Sequence, residues 1–379
     1  MRRTKRRKRV LFRQIAALFL VVLFLAAVFV VYQWGGLGLQ KRPKQVRGVY
    51  LPTESLADDA RLDQSIEVMK KNRLNTVVID FKDDDGQIVT QLEEGDELVK
   101  SNSLDLLDLQ DVLRRFKRAG IYPIARIVCF KDNRLSQQYP DLSFISQESG
   151  MVWQDGGGAS YINPMKEEVK TYLLDVTEAA YDLGFKEVQY DYIRFPEGFH
   201  VYSDGLWYDS STYEDLGGLE RVQAINDFLE RARNRFQDRD LTIGAAVFGY
   251  ATIGGEQPDL VGIGQNFKSM AERVDVISAM IYPSHWSPGF LGVDYPDLEP
   301  YEVVAGYIDI EQDILDASKS RTRSIPWLQA FTDYSLAEGT YQEYGAEEIN
   351  EQIRALKDKG QEEFFLWNIA GDYPSGIRP

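Results

Sequence analysis

Apolar residues in this 379-residue chain alternate between two patterns. The first is a set of short, near-continuous runs rich in β-branched and aromatic residues, the signature of strands buried on both faces. They fall at 46–51, 76–82, 121–130, 186–193, 241–250, 274–282, 324–331 and 363–370. The second is helical spacing between those runs. It is seen in Leu62, Ile66 and Met69; in Leu106, Leu109, Leu113 and Phe116; and in Val222, Ile225, Leu229, Ala232 and Phe236. Ile349, Ile353 and Leu356 form the last clear stripe. Asn163-Pro164 reads as an N-cap and first helical residue, with Gly184 closing that helix. Residues 251–273 are Gly-rich and give only a weak helix signal after the fifth strand. Eight strands alternating with helices predict an α/β chain, a (β/α)8 TIM barrel over 46–379. The chain stops soon after the eighth strand, so the last helix is expected to be missing.

One apolar run breaks the alternation. Ile15–Tyr32 is 18 residues without a charge. At helical rise it spans about 27 Å, close to a bilayer's hydrocarbon thickness. Residues 1–14 carry eight basic residues and no acid. That flank predicts a cytoplasmic stub (1–14), and Tyr32 and Trp34 stand at an interfacial position of a transmembrane signal anchor (15–34). A cleaved signal peptide is the rival reading, with Ala26 and Ala27 as weak cleavage cues. Residues 35–45, with three glycines and Pro43, read as a linker. The expected location is therefore the cell membrane, single-pass, with the barrel extracellular and the lipid bilayer met only by the N-terminal helix.

Charge narrows the chemistry. The chain sums to −16, and without the basic stub to −24, which excludes a nucleic-acid partner that would need a positive face. One Cys and two His rule out a disulfide, a thiolate zinc site or a His-rich metal centre. No serine elbow, Walker loop or dinucleotide fingerprint is present, so no cofactor is expected. Carboxylates remain, and glycoside hydrolysis needs little more than two of them.

Helix-to-strand connections are short, whereas strand-to-helix connections at 131–162, 195–217, 283–300 and 332–344 are long. In a TIM barrel the latter build the C-terminal face, where active sites sit. The fourth strand, VQYDYIRFPEG, puts Gln189, Asp191 and Ile193 on one side, with Arg194 and Glu197 following. The second, IDFKDDDG, is expected to point Asp80 and Lys82 the same way, with Asp83 next and Asp84 and Asp85 in a solvated turn. Arg126 lies on the third strand, before Lys131 and Asp132. Tyr282, His285 and Trp286 end the sixth, Trp327 and Gln329 share a face of the seventh, and Trp367 and Asn368 end the eighth. Trp153, Trp207, Tyr202, Tyr208 and Tyr213 populate the loops, where aromatic rings stack on sugars or simply pack together. A weaker reading makes Asp80, Asp83 and Asp191 oxygen ligands of a metal.

Taken in order, GVYLPTES, NTVVIDFKDDDG, ARIVCFKD, VQYDYIRFPEG, MIYPSHW, PWLQAF and LWNIAGDY resemble a bacterial family described as a "putative glycoside hydrolase domain", distantly related to α-amylase-like barrels. The resemblance covers about residues 46–375. It implies a glycosidase barrel in which Asp191 matches the catalytic aspartate of the fourth strand. The fifth strand, TIGAAVFGY, ends without the carboxylate that amylase-like enzymes have there. The expectation is an extracellular glycoside hydrolase, acting as a monomer on a carbohydrate polymer or oligosaccharide. Asp191 would be nucleophile or base, with Asp80, then Glu197 and Asp83, as partner. Arg126, Arg194 and Lys82 would tune them, and Tyr282, His285, Trp286, Gln329, Trp367 and Asn368 would line the sugar site. The alternative is a glycan-binding barrel without catalysis.

Overall fold

The computed structural model describes residues 41–253, 258–318 and 320–379. The stub and anchor expected over 1–34 lie outside them. Among the described residues no helix is long and apolar enough to cross a membrane.

Eight parallel strands close on themselves: β1 (Arg47–Leu51), β2 (Thr76–Lys82), β3 (Tyr122–Val128), β4 (Glu187–Asp191), β5 (Thr242–Phe248), β6 (Val276–Met280), β7 (Arg323–Ser324 and Trp327–Gln329) and β8 (Phe364–Trp367). Closure is made where Arg47 of β1 pairs with Phe364 of β8. β7 comes in two pieces because Pro326 has no N–H for the ladder, although its carbonyl still accepts from Phe365 at 2.9 Å. Around the barrel run α1 (Asp59–Lys71), α2 (Leu109–Ala119), α3 (Glu167–Asp182), α4 (Leu219–Phe236), α5 (Phe267–Ala271), α6 (Pro300–Ser318) and α7 (Ala346–Asp358). This is the expected (β/α)8 arrangement, with a shrunken fifth helix where the sequence is Gly-rich.

Strand alternation divides the core in two. Val77, Ile79 and Phe81 face the helices, while Val78 and Asp80 face the barrel axis; on β3, Ile124 and Arg126 do the same. Tyr50, Tyr122, Ile325, Trp327 and Phe365 fill the interior. Gly48 exists for that filling, since a Cβ there would lie 2.5 Å from the Phe365 ring.

Two local expectations shift. The α3 helix begins at Glu167, and Asn163 instead caps the preceding turn through the Met165 N–H at 3.0 Å. Leu106 is exposed, because it precedes α2 and Val112 takes its place in the buried stripe. Among the described residues no helix follows β8. Residues 368–379 run as turns and bridge α1 to α7: Asn72 binds the Pro374 carbonyl, and Asn350 binds that of Gly376.

The described end of the linker is docked. Arg42 makes a two-bond ion pair with buried Glu187 at the start of β4, at 2.6 and 3.0 Å, across the pole opposite the long loops.

Glu311 of α6 is 1 % exposed, bonded to Ser324 through one oxygen, and its other oxygen has no partner. Burial pushes its carboxyl up to about 7. A raised acid stabilises the fold fully below its ordinary range and loses that contribution as pH rises through the folded value. Glu311→Gln should therefore melt progressively higher than the parent between pH 4.5 and 8, by on the order of 3 kcal/mol at the upper end. Thermal melts across that range check it; a difference that does not grow with pH would count against it.

Candidate active site

The interior charges gather at the C-terminal ends of β2, β3 and β4. Arg126, 1 % exposed, sits at the centre. Its Nε donates to Asp191 Oδ2 at 2.8 Å, and its Nη1 donates to Asp80 Oδ1 at 2.7 Å and Asp84 Oδ2 at 2.9 Å. The guanidinium lies over the rings of Tyr50 and Trp367, at 5.6 and 5.4 Å, and those rings stack on each other at 4.4 Å.

Each carboxylate has a different setting. Asp191 accepts the Tyr192 N–H on Oδ1 at 2.7 Å, so both its oxygens are fixed. Tyr192 carries a φ of 46°, strained for a non-glycine residue, and this sharp turn aims its N–H back at Asp191. It also sends Ile193 outward into the helix-side core, against the strand alternation expected from sequence. Asp80 is buried, with its second oxygen taking the Tyr50 hydroxyl at 2.6 Å. Burial pushes the Asp80 carboxyl above its ordinary range, while Arg126 and Tyr50 pull it back. For Asp84 burial is outweighed: Arg126 and Lys131 hold it down at about 2.

Above this network opens a cavity of about 410 Å³. Asp84, Asp191 and Glu197 are its acids, and Arg126, Lys131 and Arg194 its cations. Tyr50, Tyr192, Phe248, Tyr282, Trp327 and Trp367 give it aromatic walls, and His285 completes the rim. Arg194 lies between the Tyr192 and Phe248 rings, at 4.7 and 4.5 Å, and holds Glu197 at 3.1 Å. Burial pushes the His285 imidazole below its ordinary range, toward the neutral form.

A family model described as "Putative glycosyl hydrolase domain" matches residues 48–373, a span that holds all eight strands and this whole cavity apart from the first residue of β1. The chain belongs to that family. Among solved structures, the glycoside hydrolase domain of PgaB (BpsB) from Bordetella bronchiseptica is 16% identical, with a TM-score of 0.59 over 87% of this chain and 95% of that one. The catalytic domain of a β-amylase from Paenibacillus polymyxa is 10% identical, with a TM-score of 0.52 over 89% and 97%. A hypothetical protein from Ruminiclostridium thermocellum ATCC 27405 is 28% identical over 52% of this chain and 96% of that one, with a TM-score of 0.45. At these identities the first two show the fold. No curated protein matches the chain.

In this glycosyl hydrolase domain the sequence-derived candidates separate. Asp191, Glu197, Arg126, Arg194, Tyr282, His285 and Trp367 line the cavity, and Asp80 stands behind Arg126. Lys82 is turned away: a β-bulge between Asp80 and Lys82 breaks the alternation. Its ammonium is wholly buried against Asp132 at 2.9 Å and the Val128 carbonyl at 2.8 Å. Asp83 folds back on its own turn, accepting from the N–H groups of Asp85 and Gln87, and burial pushes it up to about 6. It does not join Asp80 and Asp191, whose oxygens already hold Arg126, so the three do not form the oxygen-ligand set considered from sequence. Gln329 is buried between Asp297 and the Ser284 N–H, and Asn368 ties Ala330 to Ala370. Trp286 stacks on Phe290 at 3.8 Å, outside the cavity wall.

Sequence reading missed Asp84, taken for a solvated turn, and also Tyr50 and Tyr192. Tyr50 carried a usable signal, since it falls on the inward period of β1. Nothing local marked Asp84, whose partner comes from another strand.

Proposed function

We propose that this domain hydrolyses glycosidic bonds in a cell-envelope or environmental polysaccharide, through Asp191 as nucleophile or base and Glu197 as the acid. The observation that carries this reading is the placement of Asp191: at the end of β4, facing the cavity, with its oxygens oriented by the Arg126 guanidinium and the Tyr192 N–H. Asp80 is less suited to be the partner than sequence reasoning supposed, because it is buried behind Arg126 and is not in the cavity wall. Asp84, held ionised, cannot deliver a proton near neutral pH. Glu197 is the remaining cavity acid among the described residues; its side chain is 66% exposed at the rim, where Arg194 positions it through one oxygen at 3.1 Å.

We further propose that the domain is held at the outer face of the cell membrane by residues 15–34. The support is the uncharged run and its basic flank.

The test is a screen of envelope and plant polysaccharides with the wild-type chain, reading new reducing ends. Glu197→Gln should lower kcat by about 10²-fold or more on a sugar leaving group. It should cost much less on an aryl glycoside whose leaving group needs no proton. Equal losses on both substrates would remove Glu197 from the acid's role. The rival reading, a glycan-binding barrel, is favoured by the locking of three acids onto Arg126; it predicts sugar binding with no turnover.

A further inference from the structure

The exposed apolar surface is one-sided. Among the described residues, every large apolar side chain that is 40% exposed or more lies in the segment that follows a strand's C-terminal end or at the first residue of the next helix. The helix exteriors and the opposite pole have none. Single exposed apolar residues need no explanation, but their confinement to the face that carries the cavity does.

Two sectors of that face oppose each other. β4 and β8 are four strands apart in an eight-stranded barrel, and so are β3 and β7; each pair is diametrically opposite. The loop after β4 carries Val201 and Trp207, 73 and 57% exposed. Across the mouth stand Tyr334 after β7, 71% exposed, and Ile369 after β8, 74% exposed. The cavity lies between them and includes Ile369 in its wall. Both aromatics are pre-ordered. Trp207 pairs with Ile145 in a small antiparallel ribbon that joins the β3 and β4 loops. Tyr334 packs edge-on to Tyr341 at 5.8 Å, on a turn where Ser335 binds Asp333. Trp153 and Tyr202, by contrast, are stacked on each other at 4.8 Å and serve the loop's own packing.

Charge limits the occupant. The loop after β4 (192–218) holds five acids against one arginine, and the loop after β7 (330–345) holds three acids and no base. Such poles repel anionic lipid and acidic polymers. We infer that a polysaccharide chain without acidic groups lies across the mouth from the β4 loop to the β7 and β8 loops, stacked on Trp207 at one pole and on Tyr334 at the other. The bond over Asp191 is then internal to the chain, so cleavage is endo. This rests on the glycosidase reading above and adds the polymer's charge class and its path.

The test uses the full-length Asp191→Asn chain on immobilised xylan, β-1,3-glucan, pullulan, peptidoglycan and polygalacturonate, and on two- to four-sugar fragments of each. Retention is expected on a polymer without acidic groups and not on its fragments. Adding Trp207→Ala and Tyr334→Ala should weaken that retention about tenfold; a thermal melt confirms that the variant is folded. The wild-type chain should shorten that polymer from within, so that chain length falls before small products accumulate. The inference is overturned if no polysaccharide retains the protein, if fragments bind as well as the polymer, or if peptidoglycan, polygalacturonate or phosphatidylserine vesicles bind best. It is also overturned if the double aromatic replacement changes nothing. Glycoside hydrolysis that Asp191→Asn abolishes, with no polymer retention, would leave the catalytic reading standing and this one not. Polymer retention that depends on Trp207, with Asp191→Asn still hydrolysing, would do the reverse.

Discussion

Asp191→Asn is expected to lower kcat by at least about 10³-fold while the thermal melt moves only slightly. The exchange keeps the side chain's shape but removes its charge. Arg126 still has Asp80 and Asp84 to bind, so no guanidinium is stranded. The amide can accept from Arg126 or from the Tyr192 N–H, but not from both, since its nitrogen is a donor. One lost hydrogen bond costs about 1 kcal/mol, which is a degree or two in a domain of this size. Loss of turnover with the melt retained separates a role in chemistry from a role in folding. A well-folded Asn variant with full activity would remove Asp191 from the mechanism and take the proposed function with it.

Much of the fold follows from period and length alone. Strands flanked by helices on both sides of the sequence produce runs apolar at every position, and those runs placed all eight strands. The part that was not legible concerns departures from strict alternation. The bulge between Asp80 and Lys82 depends on how β2 registers against β3, which no local pattern records. It turns two neighbouring charges into members of different networks, one inside the barrel and one beneath the β3 loop. Tyr192 is similar: its left-handed backbone ends the alternation one residue after Asp191. Asp80 and Asp191 could be placed because they precede these breaks. Lys82 and Ile193 could not, because they follow them. Gln329 and Asn368 failed for another reason. At a strand's end a polar side chain can face either a ligand or the backbone of its own loop, and here both satisfy backbone groups.

Arg126→Met should be the most destabilising single change in the site. The methionine retains an apolar stem between Tyr50 and Trp367 and removes the cation shared by three carboxylates. Breaking a buried pair by deleting one partner costs about 3–5 kcal/mol, since the other charge stays buried without compensation. The melt should fall by roughly five degrees at pH 7. The pH dependence identifies the cause. Asp84, held at about 2 by Arg126 and Lys131, contributes stability above its ordinary carboxylate range and loses it only as pH falls toward that value. Asp80, already pushed up by burial, would rise further without Arg126 and would oppose folding more strongly as pH increases. The gap between wild type and Arg126→Met should thus be smallest near pH 4, where protonation relieves the stranded acids, and widest near pH 8. Arg126→Lys returns the charge but not the planar fork, and should recover stability more than it recovers turnover. A gap of constant size from pH 4 to 8 would mean that Arg126 acts through packing against Tyr50 and Trp367 rather than as the common counter-ion. The shared-cation account of how Asp191 is aimed at the cavity would then fail.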